Sequence, residues 1–263
     1  MNRIRYYFRL YGGFVSTCFM ESMNFRIHFV LLMVMDFFFY GSAFLSIHIL
    51  YEQVPAIGAW RREDLMFFMA FMLSINQMVM TVSSEAYWRF PELIKSGGLD
   101  YILLKPANGI FVTFFRHIRP GSMMNVVFTV PALVYFGMQI PLPTWGWFLL
   151  PLLLVLSFLL QSSIDILMAT AMFWMLEGTG MNFIRMEFQQ LSRWPDAIYP
   201  ELFRRLFTLG LPVLLIGSGP VRLLLNPADL WPFVELLGYL VLFWGLVALC
   251  WKQGLKAYES ASS

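Results

Sequence analysis

The chain has 263 residues, of which 59% are hydrophobic and 13% charged, with 18% aromatics and a mean hydropathy of +0.66. A soluble domain of this length carries about 25% charged residues, so the composition excludes an ordinary water-soluble enzyme, a disulfide-stapled secreted domain and a disordered tail. The net charge of +2 says little about partners, and two cysteines, Cys18 and Cys250, suggest neither a disulfide framework nor a metal site.

The elements are read in chain order as a single all-α membrane domain over residues 1–263. Residues 3–25 mix apolar and basic positions, and the basic start is followed by Glu21 and Arg26 rather than an unbroken apolar run. This predicts a helix lying in the membrane interface, not a cleaved signal peptide. A crossing helix needs about 20 mostly apolar residues. That criterion predicts six spans, at about 27–49, 65–84, 110–136, 147–176, 201–219 and 231–251. The third has Arg116, His117, Arg119 and Pro120 in its first third. The fifth is interrupted by Gly217, Gly219 and Pro220, and two readings stay open there. One is a helix starting near Pro200; the other is a short helix followed by a re-entrant turn through Gly217–Pro220, on the outer side and packed against neighbouring helices.

Placing the N-terminus inside puts fifteen basic residues on the inner side and three outside, Arg61, Arg62 and Arg222. The asymmetry predicts both termini in the cytoplasm and an even number of crossings. On this assignment the stretch 179–205 is an inner connection. Its Met181, Ile184, Phe188 and Leu191 recur at helical spacing and predict an interfacial helix anchored by Trp194 and Tyr199. The other long inner connection, Glu85 to Gly109, holds a short helical pattern, a Gly97-Gly98 stop and a Lys105-Pro106 end. It reads equally as a solvated loop or as a docking element.

Charged groups within spans are expensive and mark functional candidates. Asp36 and Asp165 are the deepest, with Gln161, Ser162 and Ser163 beside the latter. Either aspartate serves as an interhelical hydrogen-bonding group or lines a polar path. No phosphate-binding GxxxxGK[ST] loop, HExxH or GxSxG is present, and no catalytic constellation stands out.

Six spans, an interfacial N-terminal helix and a structured second inner connection resemble the membrane subunit of an ABC-2 type transporter. The stretch Gly98-Leu99-Asp100-Tyr101-Ile102-Leu103-Leu104-Lys105-Pro106 is similar to the GxLDxLLxKP signature of bacterial permeases of this family. Phe173-Trp174, Arg193-Trp194-Pro195, Tyr199-Pro200, Asn226-Pro227 and the stretch from Trp251 to Tyr258 add to the likeness. The resemblance implies a type V exporter-like fold and a non-catalytic permease in the bacterial inner membrane. Its partners would be two copies of an ABC ATPase and a second six-span permease, a heterodimer being preferred and a homodimer allowed. ATP and Mg would sit on the ATPase, membrane lipids would surround the chain, and no nucleic acid is expected. A coupling helix would come from Glu85 to Lys95, with Glu85, Trp88, Arg89, Glu92, Leu93 and Lys95 facing the ATPase. Gly97, Gly98, Asp100, Lys105 and Pro106 would shape the turn after it. Asp36, Gln161 and Asp165 are the candidates for the translocation path. The cargo implied is amphipathic or lipid-like; a channel or scaffold, or an intramembrane enzyme using Asp36 or Asp165, is the alternative.

Overall fold

The computed structural model describes residues 3–23, 26–54, 56–175 and 178–258. Among these residues the regular structure is helical, apart from an isolated bridge between Ile57 and Trp60. The N-terminal helix α1 spans Arg3–Met23; residues 24 and 25 of its expected range lie outside the described residues. The long apolar helices are α2 (Arg26–Gln53), α3 (Arg62–Val82), α9 (Thr144–Thr170) and α13 (Trp231–Ala257). Between α3 and α9 lie α4 (Ser84–Lys95), α5 (Gly98–Leu103), α6 (Gly109–Phe115), α7 (Pro120–Met123) and α8 (Val126–Gly137). Between α9 and α13 lie α10 (Thr179–Leu191), α11 (Glu201–Arg205) and α12 (Leu215–Leu225). Four helices are long and apolar enough to cross a membrane, or up to five if the bent pair formed by Glu201–Gly210 and Leu215–Leu225 counts as one.

Contacts sort the chain into two ends. At one end the connection after α2 meets the turn after α10, since a Cβ on Gly58 would lie 3.1 Å from that of Ala197. There too the Asp196 carboxylate takes both of its hydrogen bonds from Arg222 of α12, at 2.7 and 2.5 Å. The start of α9 at Gly146 touches Leu224, and the start of α13 at Pro232 approaches Gly219. At the other end Tyr87 and Phe90 of α4, Phe114 of α6, Phe173 after α9 and Trp251 of α13 form a ring cluster.

This geometry corrects three sequence expectations. The stretch 179–205 does not lie wholly at the end opposite Arg222, because an ion pair puts Asp196 and Arg222 at one end. Helix α10 starts beside Tyr87, runs along α9 and delivers Asp196 to the far end. Second, residues 201–219 do not form one straight helix. The α11 helix continues as a π turn over Leu206–Gly210 and bends by 96° into α12. The tip meets Tyr239, two turns into α13, whose hydroxyl donates to the Leu209 carbonyl at 2.9 Å. Both legs return to the same end, so the pair is a sharply bent hairpin. Its turn lies at residues 211–214, whereas Gly217–Pro220 sits inside α12. The two glycines there serve close packing: a Cβ on Gly217 would collide with Met72 and Phe68. Pro220 has no N–H for the carbonyl of Ile216, and the Ser157 hydroxyl donates to that oxygen instead, at 2.8 Å.

Third, residues 110–136 are three helices rather than one. Proline forces the preceding residue away from helical geometry, and Arg119 is extended at φ −104° and ψ 96°. Its N–H donates to the Thr81 carbonyl at 2.9 Å, so the break is tied to α3. The remaining bounds shift modestly. The expected span at 65–84 is Arg62–Val82, the first and sixth spans are extended to Gln53 and Ala257, and the fourth runs Thr144–Trp174 including a 3-10 turn. Leu176, its expected end, lies outside the described residues.

Candidate coupling surface and intramembrane polar sites

Helix α4 has two faces. Ala86, Tyr87 and Phe90 are buried in the ring cluster, while Trp88, Arg89, Glu92 and Lys95 face outward. Glu85 accepts from Arg89 Nε at 3.0 Å, one turn apart, and Leu93 is half-buried. Gly97 ends the helix in the left-handed region at φ +71°, where a side chain would be strained. A Cβ on Gly98 would lie 3.1 Å from Leu93 Cδ2, so the second glycine lets α5 fold back closely. Leu99 and Ile102 plug α5 into the ring cluster. Tyr101 and Leu104 are left 75% and 82% exposed, with Lys105 and Pro106 beside them. Asp100 is half-buried in the first turn of α5. The result is a broad outward surface of mixed aromatic, aliphatic and charged groups around α4 and α5. Helix α1 joins it: the Asn108 N–H donates to the Tyr7 hydroxyl at 2.9 Å, and Asn108 Oδ1 caps α6 by accepting from Phe111 N at 3.1 Å.

Beneath that surface α4 is fastened to the bundle. Pro91 cannot donate to the carbonyl of Tyr87, and Asn182 Nδ2 of α10 takes up that oxygen at 2.9 Å. The Arg185 guanidinium, one turn on, stacks over the Tyr87 ring with 4.3 Å to its centroid. Arg185 is 3% exposed and faces Asp165, which is 1% exposed, at 3.9 Å. That distance is too long for a hydrogen bond. The carboxylate's hydrogen bonds come from Gln161 Nε2 at 3.0 Å and Gln189 Nε2 at 2.8 Å. Asp165 and Gln161 therefore belong to a buried polar network joining α4, α9 and α10. Arg185, Gln189 and Asn182 were not identified from sequence; their signal was a polar stripe at spacings of three and four on α10.

Asp36 lies elsewhere. It accepts from Asn125 Nδ2 at 2.5 Å, and the same amide reaches the Tyr40 hydroxyl at 3.4 Å. Asp36 thus shares no site with Asp165. It lines a separate cavity with Asn76 of α3 and Arg193, which follows α10.

Comparison with known proteins adds one positive finding. A family model described as ABC-2 family transporter protein matches residues 37–262. No similar curated protein and no similar solved structure is found. Members of this family are membrane components of ABC transporters, non-catalytic subunits that work with an ABC ATPase. With apolar helices of crossing length, an all-helical bundle and a match over most of its length, the chain belongs to the ABC-2 family of transporter proteins.

Proposed function

We propose that this permease moves an amphipathic or lipid-like compound outward across the bacterial inner membrane, driven by a separate ATPase at the α4 end. The observation that carries the reading is the construction of α4: an outward surface on one face, and a fixed connection to α9 and α10 on the other. A push on α4 is handed to α10 through the Asn182 hydrogen bond and the Arg185 stack. Glu85, Trp88, Arg89, Glu92, Leu93 and Lys95 supply the ATPase contact, and Gly97, Gly98, Asp100, Lys105 and Pro106 hold its flank. The chain crosses six times, with α10 as the fifth crossing and α11–α12 as the re-entrant hairpin on the outer side; both termini are cytoplasmic. A second permease, preferentially a different chain, covers the apolar face of α2, whose Met35, Phe38 and Leu45 are exposed. Cargo passes along that face beside Asp36, with Gln161 and Asp165 bracing α10 next to the path.

The mechanism is a linkage. Nucleotide binding closes the ATPase pair, α4 follows, and the two permease halves exchange inward-facing for outward-facing packing. ATP shifts that equilibrium only by its differential affinity for the two states. Reconstitution with the ATPase tests this. Glu92→Ala and Leu93→Ala are expected to insert and assemble normally, yet to lower transport per ATP hydrolysed at least fivefold. Full coupled transport and unchanged ATPase binding in both variants would remove α4 from the coupling role.

A further inference from the structure

A cavity of about 280 Å³ opens between α2, α3, the start of α8 and the turn after α10. Its walls carry Asp36, Tyr40, Asn76, Asn125 and Arg193, and Asp36 is the one polar residue of α2 between Val30 and Phe39. Hydrocarbon offers no hydrogen bonds, so polar groups at this depth demand partners. The accounting leaves several without one. Asn125 is buried, and its Oδ1 has no hydrogen-bond partner. The Asn76 side chain makes no hydrogen bond among the described residues. Arg193 stacks on the Phe39 ring, 5.0 Å from its centroid. No carboxylate among the described residues comes within ion-pairing distance of Arg193. Asp36 lines the same cavity, but Asn125 holds its carboxylate.

We propose that this cavity binds the acidic head of an amphipathic anion, a carboxylate or phosphate on an apolar tail. Resting on the permease reading, this names the cargo's chemical class. Arg193 takes the anion, and Asn76 donates a hydrogen bond beside it. Asn125 Oδ1 receives a hydroxyl or amide N–H of the ligand, if it carries one. The Phe39 ring holds the guanidinium on the cavity wall, and Asp36 on the facing helix disfavours a second negative group. At about 30 Å³ per water molecule, the cavity admits a small charged group but not a whole amphiphile. The tail therefore leaves over exposed Met35 and Phe38 on the outer face of α2.

The test uses the purified full chain in phosphatidylcholine nanodiscs, without ATPase. The probe is 11-(dansylamino)undecanoate against its methyl ester, read by energy transfer from tryptophan. Saturable binding of the acid, with the ester at least tenfold weaker, is expected. Arg193→Gln should bring acid and ester together, Arg193→Lys should keep the preference, and Arg9→Gln, outside the cavity, should change nothing. Should Arg193→Gln not fold, Asn76→Asp serves instead: a second carboxylate there is expected to abolish the acid preference in a folded chain. Equal binding of acid and ester to the wild-type chain would overturn the proposal. So would an undiminished preference in Arg193→Gln. Nucleotide-driven transport without acid preference would fault this proposal alone, whereas acid binding without any ATPase association would fault the permease reading.

Discussion

At the scale of single residues, two prolines explain contacts that charge and hydropathy leave obscure. Pro91 frees the carbonyl of Tyr87 and Pro220 that of Ile216, and in each case a polar side chain from a neighbouring helix occupies the oxygen, Asn182 in the first and Ser157 in the second. A carbonyl left bare in a dry interior costs about 1–3 kcal/mol. Asn182→Ala is expected to cost that much in denaturant unfolding. The loss should be larger for Asp165→Asn, which strands the Arg185 charge: removing one member of a buried pair costs about 3–5 kcal/mol. Adding Arg185→Gln to Asp165→Asn should recover a good part of it, and a double variant worse than the single would contradict the pairing. Gly217→Val, which forces a branched side chain against Met72 and Phe68, is expected to lower Tm in detergent by several degrees; an unchanged Tm would show that the α12–α3 contact is looser than its geometry. Asp165 was legible as a costly intramembrane charge. Its partner was not, because Arg185 reaches it through the course of α10 rather than through local spacing.

Helix α10 shows why element-level reading failed where it did. Its apolar positions, Met181, Ile184, Phe188 and Leu191, read as one side of an interfacial helix. In the fold Met181, Phe188 and Leu191 pack against the core and Ile184 is exposed, while the stripe of Asn182, Arg185 and Gln189 also faces the bundle. The inward polar stripe follows from the solvent. Against lipid an apolar side chain gains nothing by burial, whereas a polar one must find a protein partner. By the same logic Arg185 and Arg193 were counted as inner-side charges although they lie within the bundle, while Arg204 and Arg205 pair with Glu201 on the hairpin leg. The asymmetry persists without them, since Arg89, Lys95, Lys105, Lys252 and Lys256 stay with the α4 end. The long helices and the Gly97-Gly98 turn were legible because length and glycine act locally. Pro120 was visible as a local breaker, whereas the bend at 211–214 needed tertiary contacts. Cysteine labelling checks the revised course. With Cys18 and Cys250 replaced by Ser, Ile198→Cys is expected to react with an impermeant maleimide added outside intact cells, and Tyr101→Cys only after lysis. Protection of Ile198→Cys until lysis would restore the inner connection.

For the whole molecule, scarce charge and a missing phosphate-binding loop describe one part of a machine. The bundle keeps a large exposed apolar face on α2, and at one end α4 and α5 present Trp88, Arg89, Glu92, Lys95, Tyr101, Leu104 and Lys105 outward. That distribution suits a subunit whose energy source docks at that end and whose counterpart lies alongside in the membrane. Site-specific photo-crosslinking with a co-expressed ABC ATPase tests the arrangement most directly. A benzophenone amino acid is placed at Trp88 or Leu104, on the α4–α5 surface, and at exposed Phe148, at the opposite end. Nucleotide-sensitive crosslinks to the ATPase from Trp88 and Leu104, and none from Phe148, are expected. Crosslinks from Phe148, or none from the α4–α5 surface in a complex that still hydrolyses ATP, would contradict α4 as the coupling element.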